Sequence, residues 1–509
     1  MQALLAALPL LATLGLMLGA RWSAGRAAGA GLALGLGLAL SVFRPEAASL
    51  PAWLGGLALE AGFQTATILW ILWPALALFH HQSAAGSFLR LREAIGRLTP
   101  SPGLQGLLLA WFLSLFLEGA AGFGTPAAIV APLLVALGLP PLQAVLMALV
   151  GHAAGVAFGA LGTPLLAQQS VTGLPLQPLA THTALLNAGA AAVLMAALLR
   201  LARMPRTDVS PAGLATSVPA LAALGALLAF LLPNLALAAW TGAELPTLGG
   251  ALLGLGLMVL GLRAFAPHAG AAPRVAAAVL ARAFAPYLLL VALVLATRFL
   301  PGLASTLAAA EWQWRLDGGF GGRVNPLLHP GSLLLLALLL GCRVQGRPLT
   351  SLAPAFRASA LRLLPAALAL LAMLALSRLM LHAGMVDALQ AATVRAVGSA
   401  WPMAAPALGA LGSFVTGSAT ASNLLFASLQ LETARELGLP ASLVLAAQGV
   451  GAAVGNLVCP HNLVAAGAAV GLAGREGELL RRTLPACLAV LLATGVLVAV
   501  AIAWTRHAG

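Results

Sequence analysis

The 509-residue sequence is unusually apolar: 61% of its residues are hydrophobic and 8% are charged, and its mean hydropathy is +1.00. A soluble domain carries about 25% charged residues, because much of its surface contacts water. The composition therefore excludes a soluble enzyme or binding module, and it indicates a protein whose solvent is the lipid bilayer.

Apolar runs of about 17–25 residues, the length that crosses a bilayer, recur along the whole chain. Their hydrophobicity is continuous, which predicts membrane helices and not the alternating strands of a barrel. In chain order the predicted spans are 2–20, 27–43, 63–80, 104–117, 141–161, 183–203, 212–233, 247–266, 278–300, 329–342, 359–381, 442–458 and 484–504. We expect an all-α polytopic membrane protein with roughly 12–14 membrane elements.

The net charge of +13 comes from 26 basic residues, all of them Arg, in short clusters between the apolar runs. A nucleic-acid-binding protein would concentrate basic residues on one surface, whereas clusters in short loops are typical of the cytoplasmic side of a membrane protein. We therefore expect no nucleic-acid partner, a cytoplasmic loop at 21–26 and an extracytoplasmic N-terminus. The first run lacks a preceding basic region, so we interpret it as a retained helix.

Three motifs recur in the same order in the two halves of the chain. The pairs are 118–126 (EGAAGFGTP) with 416–423 (TGSATASN), 137–140 with 437–440 (LGLP in both), and 155–164 (GVAFGALGTP) with 451–460 (GAAVGNLVCP). Their offsets of 298, 300 and 296 residues agree closely. One such match would be unremarkable in a chain rich in Gly, Ala and Leu, but three in register indicate an internal repeat.

The repeat divides the chain into three parts. Residues 1–300 contain the first Gly/Pro-interrupted segment, 104–166, and residues 331–509 contain the second, 401–464. The polar connection 301–330 between them carries Trp312 and Trp314, which suit a membrane interface. We interpret it as an extramembrane loop.

Interrupted apolar segments at matching places in two halves are typical of the binding site of a secondary transporter. A helix that breaks inside the membrane presents free N–H groups and a positive dipole end, which favour an anionic group. Tight helix packing by small residues is the alternative. The substrate-binding candidates are Gly119, Gly122, Gly124, Thr125, Gly159, Gly162, Thr416, Gly417, Ser418, Thr420, Ser422, Asn423, Gly455 and Asn456.

Few ionisable residues lie inside the apolar runs, and such groups are expensive there and often functional. Glu118, directly before the first interrupted segment, is the first candidate for a proton carrier; a cap or a partner for a buried Arg is the alternative. His152 and His461 flank the other breaks and are further candidates for proton coupling, or structural helix residues. Arg378 is a candidate partner for an anionic substrate. We expect Glu60 to lie at a helix N-terminus, where an acid is favoured.

Motifs of soluble catalysis are missing from the sequence. There is no Walker loop, no paired-His zinc motif and no nucleophile elbow. The three cysteines, Cys342, Cys459 and Cys487, have neither metal-ligand spacing nor a disulfide pattern. We therefore expect no enzyme, no cofactor and no metal.

Several of these stretches resemble the L-lactate permease family of bacterial transporters, which also take glycolate. The resemblance extends from about residue 51 to 504 and rests on 116–124 (FLEGAAGFG), 156–162 (VAFGALG), 414–418 (FVTGS) and 474–477 (GREG). It implies a multi-pass protein of the bacterial inner membrane that imports a small 2-hydroxymonocarboxylate with a proton. It also implies kinship with transporters built from inverted repeats with re-entrant hairpins.

One position departs from the family pattern inside the second interrupted segment. Where relatives have Asp after the TGS motif, this chain has Ala419. If that Asp carries the coupling proton or ion, another group such as Glu118 or His461 takes its part here, or the substrate is different.

These observations predict a small organic anion and a coupling proton as partners, bound at mid-membrane between the interrupted segments. Two alternatives remain open. The same fold would also serve a carrier of another organic or inorganic anion, or a cation/proton antiporter. A membrane-embedded enzyme or scaffold subunit is the second alternative, and it leaves the matching breaks unexplained. The sequence leaves the oligomeric state open.

Overall fold

The computed structural model describes residues 2–20, 22–43, 49–96, 98–99, 101–122, 125–203, 218–265, 277–300, 302–473 and 475–508. Nearly all of these residues are helical. The helices before the polar connection are α1 (Gln2–Leu18), α2 (Ala24–Leu38), α3 (Leu50–Ala84), α4 (Ser87–Gly96), α5 (Pro102–Leu108), α6 (Ser114–Ala120), α7 (Thr125–Ala136), α8 (Pro141–Ala153), α9 (Gly159–Thr172), α10 (Leu176–Ala202), α11 (Ala220–Thr241), α12 (Pro246–Phe265), α13 (Ala277–Ala283) and α14 (Ala285–Phe299).

The second part of the described chain begins with a short helix and a hairpin and continues as helices. These are α15 (Leu303–Ala308), β1 (Trp312–Arg315), β2 (Gly321–Val324), α16 (Pro330–Val344), α17 (Ala353–His382), α18 (Met385–Val397), α19 (Trp401–Thr416), α20 (Ala419–Glu436), α21 (Ala441–Gly455), α22 (Pro460–Ala468) and α23 (Glu476–Ala508). A π-helical segment, Leu109–Leu113, joins α5 to α6.

Local sequence signals explain where several helices begin and end. Ser49 and Ser418 cap α3 and α20 by accepting a hydrogen bond from the backbone N–H three residues later, which satisfies one of the free donors of the first turn. Gly173 and Gly417 end α9 and α19 in the left-handed conformation that Gly adopts without steric cost. These four residues set where α3 and α20 begin and where α9 and α19 end.

Eight helices in the described ranges are long and apolar enough to cross a bilayer, or nine if the pair Pro141–Ala153 and Val156–Thr172, bent by 55°, forms one span. Five shorter apolar helices accompany them: Gln2–Met17, Pro126–Ala136, Pro246–Leu262, Ala285–Thr297 and Pro330–Val344. The all-α polytopic architecture that the sequence predicts is confirmed, and the full-length, bent and shorter helices together fall within the predicted range of membrane elements.

The spans divide into a central and a peripheral group. The most apolar window of Ala441–Ala468 is 94% buried and that of Pro102–Ala120 is 89% buried, whereas the window of Glu476–Trp504 is 33% buried. An apolar helix that is covered on all sides belongs to the core of a bundle. The interrupted segments therefore lie in the centre of the protein, and helices such as α23 surround them.

Helix ends fall at four places inside this central group. In the first part of the chain α6 ends at Ala120, and α8 ends at Ala153 before the backbone turns into α9. In the second part α19 ends at Thr416 and α21 at Gly455. The helix α9 packs against α20, and α7 packs against α22. Each interrupted segment therefore contacts the other one.

The polar connection carries a hairpin that docks onto the helices. The strands β1 and β2 pair antiparallel, with Trp312 opposite Val324. Phe320 is 2% exposed; it packs against Gly56 of α3, and its ring lies 4.2 Å from that of His382. The hairpin therefore covers one end of α3 and α17.

Candidate functional site

A small cavity lies where the four helix ends meet. Its walls come from the end of α6, the start of α9, the start of α20 and the end of α21, and it is lined by Glu118, Gly122, Val156, Gly159, Ala160, Pro164, Gly417, Ser418, Ala419, Thr420 and Asn456. About 30 Å³ is open to the centres of water molecules, which is room for about two waters. A larger ligand requires the walls to move apart.

Glu118 provides the acidic group of this cavity. It is 3% exposed, and within the described ranges its carboxyl has no hydrogen-bond or ion-pair partner. Glycines surround it: a Cβ atom at Gly159 would overlap Glu118 Oε1, and one at Gly122 would lie 3.4 Å from the same oxygen. The carboxyl group therefore occupies space that any larger residue at Gly159 would remove.

The N-terminus of α20 forms the opposite chemical feature. Thr416 Oγ1 accepts the Ser418 N–H at 3.3 Å, and Ser418 Oγ accepts the Ala421 N–H at 3.3 Å. The N–H groups of Ala419 and Thr420, both at the cavity, have no acceptor in the part of the chain that the structure describes. A helix N-terminus with free N–H groups favours an anion.

The backbone at the start of α9 adopts a conformation that is rare outside Gly. Ala160, Leu161 and Gly162 have φ values of 43°, 57° and 78°, and the left-handed region costs a non-Gly residue about 1–2 kcal/mol. Thr163 Oγ1 donates to Ala160 O at 2.5 Å, which helps to hold the turn. Such strained backbone often occurs at functional sites.

Side chains of neighbouring helices satisfy the carbonyl groups that the first break releases. Asn187 of α10 donates to Ala154 O at 2.8 Å, and Thr247, in the first turn of α12, donates to Gly155 O at 2.8 Å. This is how irregular backbone is tolerated in a membrane protein.

The cavity brings together six of the fourteen substrate-binding residues that the sequence suggests, together with the first proton-carrier candidate. These are Glu118, Gly122, Gly159, Gly417, Ser418, Thr420 and Asn456. Gly124 and the side chain of Thr125 lie outside the described residues. Whether the residues at the cavity bind a substrate stays a prediction.

The other candidates support the walls of the cavity instead of lining it. A Cβ atom at Gly119 would lie 2.5 Å from Leu248 N, and one at Gly455 would lie 2.5 Å from Ala410 O, so both permit close helix packing, and Gly162 packs in the same way against Ala243. Ser422 donates to Gly409 O at 2.7 Å. Asn423 donates to Pro164 O at 2.9 Å, which joins α20 to α9.

The two histidines and the arginine also lie outside the cavity lining. His152 is buried in α8 with Nδ1 3.1 Å from Ala148 O, and His461 is exposed in the first turn of α22. Arg378 is 5% exposed and lies beside Glu60. Glu60 itself lies inside α3, which begins at Leu50, so the expectation that it marks a helix N-terminus is wrong; the apolar helix starts well before residue 63, where the predicted span begins.

Sequence reasoning missed Val156 as a lining residue, because its side chain does not differ from those that fill the core. It also missed a buried amide cluster. Gln168 donates to Leu445 O at 2.8 Å, and Gln430 donates to Gln448 Oε1 at 2.8 Å. Amide side chains inside apolar runs are the signal that would have identified it.

Comparison with known protein families identifies the family of this chain. The model of the L-lactate permease family matches residues 2–322 and 322–504. The chain belongs to the L-lactate permease family. Among its relatives, a glycolate permease of Escherichia coli is 30% identical over 82% of this chain and 81% of that protein. An L-lactate permease of Salmonella typhimurium is 29% identical over 84% and 83%.

A solved structure supports the fold independently of sequence. MtrF of Neisseria gonorrhoeae, which represents a class of antimetabolite efflux pumps, superposes with a TM-score of 0.52 at 14% identity, covering 97% of each chain. At this identity the likeness concerns the fold alone. Members of the L-lactate permease family are permeases, so this chain is a transporter and not an enzyme, and its apolar helices make it a multi-pass protein of the bacterial inner membrane.

Proposed function

We propose that this permease imports a small 2-hydroxymonocarboxylate, L-lactate or glycolate, together with a proton, and that both bind in the cavity. The observation that carries the proposal is the pairing of chemical features in one small space. Glu118 lies without a partner in the described ranges on one wall, and free N–H groups of α20 lie on another. The names of the relatives support the substrate class.

The electrostatics of this cavity provide a reason for coupling. An anionic substrate at the N-terminus of α20 and an ionised Glu118 repel each other across a small, poorly hydrated space. A proton on Glu118 removes the repulsion and gives the carboxyl group a donor for the substrate. By linkage, a proton that strengthens anion binding is itself bound more tightly when the anion is present.

The relation between the two halves supports transport by alternating access. We propose that 1–300 and 331–509 are inverted repeats joined through 301–330, and that the segments 104–166 and 401–464 move against each other around the cavity. The matched motifs and the packing of α9 on α20 and of α7 on α22 support this division. His461, whose side chain lies beside Gly417, is a second candidate for the proton path, while the ring of His152 contacts Ala148 O.

Uptake by proteoliposomes tests the function directly. Radiolabelled L-lactate and glycolate are offered with and without an inward proton gradient, to wild-type protein and to Glu118→Gln. We expect gradient-driven accumulation by the wild type and none by the variant. Accumulation that is unchanged in Glu118→Gln would remove Glu118 from the coupling mechanism.

A different small anion is the second candidate, and one observation favours it. Ala419, where the family pattern has Asp, lines the cavity, so the departure changes the site itself. A panel of unlabelled organic and inorganic anions, each competing with labelled L-lactate, distinguishes the two. A protein that reconstitutes but takes up neither lactate nor glycolate under any gradient contradicts the first proposal.

A further inference from the structure

A second group of buried polar side chains joins α3, α9 and α17. Arg378 Nη1 lies 3.6 Å from Glu60 Oε1, and His382 Nε2 lies 2.9 Å from Glu60 Oε2. Arg378 Nε donates to Gln64 Oε1 at 3.2 Å. We call Glu60, Gln64, Arg378 and His382 the Arg378 cluster.

The cluster acts on one backbone atom of α9. Arg378 Nη2 donates to Ser170 O at 3.1 Å, and Gln64 Nε2 donates to the same oxygen at 3.3 Å. Ser170 lies in the last turn of α9, where the backbone carbonyl groups accept no hydrogen bond from an N–H group of the same helix. A guanidinium group there also has the charge that a helix C-terminus favours. Two donors from two other helices thus hold the end of α9.

The other end of the same helix forms the cavity. Gly159, Ala160 and Pro164 line it; the left-handed residues 160–162 interrupt the helix, and its regular part, which begins with Pro164 in its first turn, continues to Thr172. Because the backbone at its start is turned through the left-handed region, little chain continuity with α8 fixes its direction. The contacts at its last turn therefore help to set where its first turn lies, together with the Asn423 hydrogen bond to Pro164 O.

Packing alone does not require charged groups at this place. Arg378 and Glu60 are both 5% exposed within apolar helices, where ionisable side chains are expensive and are mostly retained for function. A buried ion pair can often be replaced by apolar residues without loss of stability. None of the four side chains of the cluster lines the cavity, so a direct role in ligand binding is not what retains them.

We propose that Arg378 is a positioning residue for the substrate site: by holding Ser170 O against α3 and α17, it fixes Pro164 at the cavity, and with Pro164 the turn that carries Gly159 and Ala160. Glu60 balances the charge of Arg378 and orients it, and His382 orients Glu60. The inference rests on the proposed function in so far as the cavity is the substrate site, while the restraint on α9 stands independently of any substrate.

The test uses a double variant that leaves no uncompensated charge in the membrane. Glu60→Gln with Arg378→Met removes both charges and the Arg378 donor to Ser170 O, so that only Gln64 Nε2 still donates to this oxygen. Glu60→Gln alone keeps that donor. The matched control is Glu432→Gln with Arg435→Met, which removes an ion pair of 2.7 Å from the surface of α20, where such pairs contribute little.

Two readouts separate positioning from a merely structural role. Hydrogen–deuterium exchange of the backbone of 163–173 reports the restraint on α9, and the KM and Vmax of L-lactate uptake by proteoliposomes report the site. In the double variant we expect faster exchange in this segment and a KM raised about tenfold, in the range for residues that act on a site without contacting the ligand, with Vmax per folded transporter nearly unchanged. Glu60→Gln alone gives smaller shifts, and the control gives none.

The other possible outcomes either overturn the inference or separate it from the proposed function. Exchange and KM equal to those of the wild type and the control overturn the inference. A lower Vmax with unchanged KM and unchanged exchange in 163–173 means that the cluster serves folding only, and it also overturns the inference. Faster exchange in the double variant, with no lactate uptake even by the wild type, supports the restraint on α9 and contradicts the proposed function instead.

Discussion

Two glutamates are buried in the apolar helices of the described ranges, and their surroundings are opposite. Glu118 is 3% exposed and Glu60 is 5% exposed. Glu118 faces the cavity and has no ion-pair partner within the described chain. Glu60 has Arg378 and His382 beside it and does not line the cavity. Burial alone therefore does not identify a proton carrier in a membrane protein, whereas an acid without a partner at a cavity is the stronger candidate.

The neighbours of the two acids differ in the same way. Around Glu118 the chain has small residues, so that the carboxyl group is bordered by backbone and empty space. Around Glu60 the chain has long polar side chains, and those of Arg378 and His382 contact the Glu60 carboxylate. An ionised Glu60 is compensated by the Arg378 cation, while an ionised Glu118 has no such partner among the described residues.

Replacing each of the two acids by Gln should affect transport very differently. Glu118→Gln should abolish accumulation of L-lactate against its gradient but retain exchange of labelled for unlabelled L-lactate, because exchange needs no net proton movement. Glu60→Gln should retain both, since Arg378 still reaches Gln64 and Ser170 O. Accumulation and counterflow are measured in the same proteoliposomes. Loss of accumulation with intact exchange in Glu60→Gln, and not in Glu118→Gln, would reverse the assignment of roles.

A second prediction concerns the space around Glu118. Gly159→Ala places a methyl group against Glu118 Oε1, and overpacking of this kind costs about 1–3 kcal/mol. We expect uptake to fall about tenfold or more, since 1.4 kcal/mol corresponds to a factor of ten. Gly256→Ala in α12 is the control, because a Cβ atom there meets nothing within 4 Å. Equal uptake by the two variants would show that the carboxyl group does not need this position.

The third prediction separates helix capping from anion binding. Ser418→Ala removes the cap of α20, and Ser49→Ala removes the cap of α3, whose hydrogen bond has the same length of 3.3 Å. Each should lower the free energy of unfolding by about 1 kcal/mol, measured by thermal melting in detergent. Only Ser418→Ala should also raise the KM for L-lactate, because Ser418 lines the cavity. A similar KM in both variants would contradict an anion site at α20.

Much of this architecture is readable from local sequence. Gly417 and Gly162 have φ values of 75° and 78°, so the residues that interrupt the apolar runs are those that the backbone needs there. The apolar runs likewise predict the helices, because the hydrophobicity of each run is a property of its local sequence.

The rest depends on contacts between distant parts of the chain. Ala160 lines the cavity in a left-handed conformation. Its side chain does not favour this conformation, so the local sequence does not predict it. Arg378 contacts Gln64 across 314 positions, so its pairing with α3 cannot be read from either local sequence. Local pattern predicts where helices end, and only the packed structure shows which ends meet.

A substitution at His382 should change the rate of L-lactate uptake least. His382→Gln keeps a donor for Glu60, and Arg378 still balances the charge, so rates of L-lactate uptake should change little. The informative quantity is the number of protons taken up with each anion, obtained from the membrane potential that just prevents accumulation at a fixed proton gradient. If Glu118 alone carries the proton, that number is the same in His382→Gln and in the wild type. A lower number in the variant would mean that the His382–Glu60 pair also releases and binds a proton during transport, and the contrast between a paired structural acid and an unpaired functional one would no longer hold.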